Sequence, residues 1–232
     1  MAQTCVGTLR PVLHSLLYRG VGALVLLAAL IAPLAVGALQ AAGASGALRV
    51  APAWAQRMVI AACSGSGSTA RGCDSASLKA IDVSRASEHL PALVLPANFE
   101  DLSAADQVIA VTNAERVPRG LPAWHGPVPA LARMAVKGVA TDQDPNGPAG
   151  TTWASNLATG VLTVLEADFD WMYNDGPGGT NSGCTVTTPG ECWSHRANVL
   201  SPWAGTIGAA GQAARDRRLV LAEVMVAGMA KA

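Results

Sequence analysis

Between Cys184 and Leu200 the chain reads Cys-Thr-Val-Thr-Thr-Pro-Gly-Glu-Cys-Trp-Ser-His-Arg-Ala-Asn-Val-Leu. No other stretch restricts the fold so strongly. Two cysteines eight positions apart close a tight loop if they bond to each other, and Trp193, His195, Arg196 and Asn198 follow at once. The same close spacing recurs at Cys63 and Cys73, while Cys5 stands alone ahead of an apolar run. With the N-terminal segment removed an even number remains. Two short-loop disulfides, Cys63 with Cys73 and Cys184 with Cys192, are therefore predicted, and they imply an oxidising compartment. The alternative is a four-thiolate zinc site, but neither pair has the gap of about two to four residues that such sites prefer.

The N-terminus points the same way. Arg10, His14 and Arg19 precede an apolar run from Val21 to Leu39, and no Asp or Glu occurs before Asp74. Positive charge ahead of a hydrophobic stretch is the pattern of a secretory signal or a signal anchor, here over residues 1–55. Ala42-Gly43-Ala44 and Ala53-Trp54-Ala55 are small-x-small sites where a signal could be cut. The run over 21–39 is also long enough to span a bilayer, so a retained anchor is the rival. Either reading places the rest of the chain outside the cytoplasm. At 232 residues, half of them apolar, the chain can hold one domain besides that segment. Its formal charge is zero, and no basic stripe follows the first few dozen residues, which argues against nucleic acid as a partner.

Residues 56–96 are Ser/Gly/Ala-rich and then mixed, which reads as a linker with a small loop stapled by Cys63 and Cys73 and little share in the core. Leu90 to Pro96 is apolar but bounded by prolines, so an extended arm is expected. Ser103 is a predicted N-cap with Asp106 three residues on, and Ala105, Val108, Ile109 and Thr112 recur on one helical face. Val117-Pro118 and Gly120 end that helix. A second helix is predicted over Val128–Val139 and a third over Thr163–Trp171. Thr206–Gly211 and Leu219–Val226 read as antiparallel strands joined by a polar turn. Asp142-Gln143-Asp144-Pro145-Asn146-Gly147 resembles the opening of a calcium loop, but the position for the bidentate Glu is Trp153, so a polar turn is expected. Helices and strands do not alternate strictly, which predicts α+β with helices on a small sheet over residues 97–232.

These landmarks, in this order, resemble the CAP superfamily of cysteine-rich secretory, antigen 5 and pathogenesis-related proteins, and its actinobacterial exported members most. Asn113-x-x-Arg116 followed by Gly120-Leu121-Pro122 is similar to the end of the family's first helix. Trp171-Met172 is similar to the pair closing its third, and Cys192-Trp193-Ser194-His195-Arg196-Ala197-Asn198-Val199-Leu200 to its His-Arg-x-Asn signature. The resemblance covers about Pro96 to Gly228 and implies an α-β-α sandwich, a small antiparallel sheet flanked by helices. It also implies a cleft that in the family carries two His and two Glu, sometimes with a divalent metal. Here His195 matches the last His. Ser155 and Asn174 stand at the Glu positions, and the first His has no counterpart between Met134 and Gly150, where Asp142 and Asp144 are the candidates. One ligand of four does not hold zinc, so no metal and no cofactor are expected.

The sequence thus leaves His195 as a cleft imidazole expected to stand among neutral groups, near Ser155, Asn156 and Asn174. Arg196 and Asn198 are expected to satisfy backbone carbonyls, and Trp193 to pack the core. Glu166 and Glu191 are expected to be exposed. The one hydrolase constellation available is Ser155 with His195 and Asp170 or Asp175 as orienter, without an oxyanion-hole motif. Two carboxylates facing each other across a cleft, which glycoside hydrolysis needs, are not supplied by the matched positions. The expected function is an exported binding or interaction module at or outside the cell envelope, its partner a glycan, lipid or protein. The alternatives are a cleft hydrolase of envelope peptide or glycan, and a lipid carrier with a groove between the first and third of these helices.

Overall fold

The computed structural model describes residues 50–214 and 216–228; the expected signal or anchor over 1–55 lies outside them up to residue 49. Six helices and three strands follow in the order α1 Ala53–Ser64, α2 Ala70–Ser87, α3 Ala104–Arg116, α4 Pro129–Thr141, β1 Trp153–Val161, α5 Val164–Tyr173, α6 Ser194–Val199, β2 Gly205–Ala213 and β3 Leu219–Ala227. The chain is α+β.

The strands form one antiparallel sheet in the order β1-β3-β2, with Glu223 of β3 opposite Asn156 of β1 and Ala209 of β2. Alternate residues of a strand face opposite sides. In β3, Ala222, Val224 and Val226 therefore pack with Leu131, Ala135 and Val139 of α4. Leu221 and Met225 join the larger core with Val108 and Val111 of α3 and Leu165, Phe169 and Met172 of α5. Helix α4 lies so close to β2 that a Cβ on Gly208 would sit 2.2 Å from the Ala132 nitrogen, so glycine is required there. Ser103 caps α3 by accepting from the Asp106 amide at 3.2 Å, and Thr163 caps α5 through Glu166 at 3.2 Å.

The stretch expected to be a linker with a stapled loop is instead two helices. Ala55, Val59 and Cys63 on α1 and Cys73, Ala80 and Ile81 on α2 are all part of the larger core. Cys63 and Cys73 are bonded, as are Cys184 and Cys192, and both pairings fit an oxidising, extracytoplasmic environment. Helix α2 is further tied down by a buried ion network. Arg85 donates to Glu115 at 2.6 Å, and Glu115 also takes Arg119 and the Tyr173 hydroxyl at 2.8 Å. Glu88 binds Arg119 at 2.7 Å and Arg196 at 2.8 Å through both carboxylate oxygens. Thus α2, α3, α5 and α6 share one charged seam. Beyond α2 the chain does run as an extended arm, where the Leu93 amide donates to Asp82 at 2.8 Å and the Pro91 carbonyl accepts from Arg85. Among the described residues no helix is long and apolar enough to cross a membrane.

Candidate functional site

Helix α6 is anchored from below by Arg116 of α3. Arg116 is fully buried and spends its guanidinium on four backbone carbonyls: Pro122 at 2.9 Å, Val199 at 2.6 Å, Ser201 at 2.8 Å and Trp203 at 2.9 Å. It also stacks over Trp124 at 4.2 Å, and burial lowers its pKa to about 10 despite the charge of Glu223. Asn113 pairs with the Trp124 backbone in both directions, at 3.1 and 2.7 Å. Arg116 thereby fixes the end of α6 and the loop leaving it, and Asn113 the loop at Trp124, since each buried carbonyl needs a donor.

From above, α6 is held by the loop after α5. Asp175 is wholly buried and accepts from the His195 amide at 2.9 Å, from the Arg196 amide at 3.3 Å and from the His195 ring Nδ1 at 2.6 Å. A carboxylate partner puts the proton on Nδ1, which leaves Nε2 free at a side chain 25% exposed. Asn181 in turn holds Asp175, donating to its Oδ1 at 2.7 Å, and also reaches the Glu191 carbonyl at 3.0 Å inside the Cys184–Cys192 loop. Trp193 does not enter the core. It lies half-buried against Gly176, where a Cβ would meet its ring at 2.1 Å.

Behind the imidazole lies a third layer, centred on Glu223. This carboxyl is fully buried at mid-sheet and accepts from Thr112 of α3 and from Asn156 of β1, each at 2.8 Å. The same Asn156 amide reaches the His195 carbonyl at 3.3 Å, and its oxygen accepts from Asn198 at 3.1 Å. Asn198 also donates to the Ser155 carbonyl at 2.8 Å. Desolvation raises the Glu223 pKa from 4.5 to about 7, against the lowering pull of Thr112, Asn156, Arg116 and His195. For His195, burial works to lower the pKa, but the hydrogen bond and charge of Asp175, with Asp144 and Asp170, outweigh it and raise the value above 6.5.

The expectation that His195 stands among neutral groups is therefore wrong. The carboxylates of Asp175, Asp144 and Asp170 all act on it, and Glu223 lies within its field. Of the two proposed orienters, Asp175 holds the ring. Asp170 is instead engaged by Asn174 at 3.2 Å and Thr180 at 2.9 Å. Asn174 is 1% exposed and Asn156 fully buried, so both brace the His195 turn from inside rather than reach its surface. Ser155 alternates with Asn156 and shares the α4 face with Leu157; its hydroxyl makes no hydrogen bond to the imidazole among the described residues. Arg196 does bind a carbonyl, that of Met172 at 2.5 Å, alongside its ion pair with Glu88. Glu166 is buried, not exposed, and caps the Leu162 amide, while Glu191 is half-buried.

Among the described residues, one trio of Cys, His or acidic groups brings its ligand atoms within 4.8 Å of one another: Cys63, Cys73 and Glu166, whose sulfurs are bonded together. Asp142 is bound by Thr159 in a left-handed turn at φ 51°, so the aspartate-rich segment is a polar turn. An apolar groove of about 410 Å³ lies between the arm at Pro91–Pro96 and the end of α3.

Sequence reasoning missed Glu223, and it offered Asp175 only as an alternative to Asp170 for orienting the ring. Glu223 carried a signal, being the one charged residue inside the apolar run Leu219–Val226. Asp175 could not be told from Asp170 in the sequence, because Asn-Asp-Gly-Pro reads as a turn whatever its aspartate binds. Fold and site together define a disulfide-bonded α+β domain with an acid-flanked histidine at its rim. Comparison with protein-family models, curated proteins and solved structures finds no match for the chain.

Proposed function

We propose that the chain is an exported binding module acting at the cell envelope or outside the cell, a divergent member of the CAP superfamily whose cleft is built on His195. The resemblance of its motifs supports the family. So do the roles those residues take here, with Arg116, Arg196 and Asn198 spent on holding α6 and Asn113 on the Trp124 backbone. The observation that carries the functional reading is the half-buried imidazole held by Asp175, with Asp144 and Asp170 acting on it. Such a site suits a ligand group that is cationic or rich in hydrogen-bond donors, as the free amines of envelope peptides and amino sugars are. Calorimetric titration of the full chain with a chitosan tetramer and with its fully N-acetylated counterpart tests this. Binding of the amine form, lost in His195→Gln, is expected. Equal binding of the acetylated form, or binding indifferent to His195→Gln, refutes it.

A second reading, hydrolysis of envelope peptide or glycan, draws on the His195–Asp175 pair, since an imidazole oriented by a carboxylate is equipped as a general base. With no hydroxyl bonded to the ring, water would be the nucleophile. Release of soluble fragments from cell-wall material by the wild type and not by His195→Gln would establish it.

A further inference from the structure

Helix α1 is apolar on two sides, and the core uses one of them. Ala55, Val59 and Cys63 are buried against α2 and the domain. The opposite side carries Trp54, 46% exposed, and Ile60, 53% exposed, with Ala53 and Ala61 also open to solvent. At 100° per residue these positions span a face about 120° wide, with Arg57 at its middle. Large apolar side chains left exposed together on one face mark a surface for a partner or a membrane.

We propose that the outward face of α1 rests on an anionic lipid surface, with Trp54 and Ile60 in the interfacial layer and Arg57 at the headgroups. Charge favours this occupant. Helix α1 contains no acidic residue, and the exposed charged residues of α1 and α2 are Arg57, Arg71 and Lys79, all cationic; Asp74 and Asp82, and Glu88 just past α2, are half-buried. Position along the chain favours it too. Thirteen residues separate the apolar run Val21–Leu39 from α1, and no Asp or Glu occurs between Met1 and Cys73. Tryptophan prefers the membrane–water boundary, and basic residues are drawn to anionic headgroups. The face is also firmly carried. Cys63–Cys73 ties α1 to α2, and Arg85 and Glu88 tie α2 to α3 and α6. The inference does not involve His195 and stands or falls apart from the proposed function.

The six tryptophans of the chain are Trp54, Trp124, Trp153, Trp171, Trp193 and Trp203, so none lies in the apolar N-terminal run. Quenching of intrinsic fluorescence by brominated acyl chains therefore reports the folded domain rather than that run. The full chain is mixed with phosphatidylglycerol vesicles carrying such chains, beside Trp54→Phe, which keeps an aromatic ring in place. The wild type is expected to lose fluorescence and Trp54→Phe to lose that quenched component, with circular dichroism unchanged. Brominated phosphatidylcholine should quench less. No quenching in the wild type, equal quenching in Trp54→Phe, or equal quenching by both lipids would each overturn the proposal.

Discussion

Replacing Glu223 with Gln should make the protein more stable at alkaline pH and flatten its dependence on pH. The carboxyl is fully buried on β3 with two neutral hydrogen-bond partners, Thr112 and Asn156, and its pKa rises from 4.5 to about 7. A raised carboxyl means that the folded state holds a proton the unfolded chain has already released. Stability therefore falls as pH climbs from about 4.5 to about 7, and the full penalty is present above that. At 1.36 kcal/mol per pH unit the difference is about 3 kcal/mol. Glutamine is nearly isosteric with the protonated acid, accepting from Asn156 and donating to Thr112, so it removes the penalty while keeping both contacts. Urea denaturation followed by tryptophan fluorescence at pH 5 and pH 8, with disulfides intact, measures the effect. The raised pKa of His195 makes its contribution present below about 6.5 and lost as pH rises through the folded value, which gives the wild type a slope of the same sign. The difference between wild type and variant isolates Glu223. Parallel stability profiles for the two proteins between pH 5 and pH 8 would refute the assignment.

Three further outcomes are expected. Arg116→Met strips the donors from four carbonyls and should cost about 3–5 kcal/mol of unfolding free energy in urea, with a cost below 1 kcal/mol arguing against the clamp. Gly176→Ala puts a methyl where the Trp193 ring lies at 2.1 Å and should cost about 1–3 kcal/mol, with a shift in tryptophan emission that Gly190→Ala, which meets nothing within 4 Å, does not reproduce. Removing Cys184 and Cys192 together as serines should destabilise by about 2–3 kcal/mol and raise amide exchange over residues 181–192, since an eight-residue separation closes a short loop.

The parts of the fold legible in the sequence are those with local chemistry of their own. Ser103 capping α3, the apolar spacing of α4 and α5, and the polar turn between β2 and β3 all show in the residues. Helix α2 did not show, because its inward face is built from Ser77, Ser84 and Arg85 beside small alanines, and Arg85 is inward only because Glu115 meets it thirty residues later. Strand β1 was hidden for a similar reason: Ala154, Asn156 and Ala158 make its core face, and none of them favours a strand by itself. In the site, His195 and its anchors Arg116 and Asn198 were legible as a motif. That several acids act on the ring together was not. Asp144, Asp170 and Asp175 come from two loops and a helix that only the tertiary fold brings near one imidazole.

The state of that imidazole is the most direct measurement. In nitrogen-detected NMR the His195 ring should keep its proton on Nδ1 and titrate above 6.5, because Asp175 accepts from it at 2.6 Å, and Asp175→Asn should bring the value down. A ring that titrates at or below 6.5 in the wild type, or that ignores the loss of Asp175, would contradict the account of the cleft.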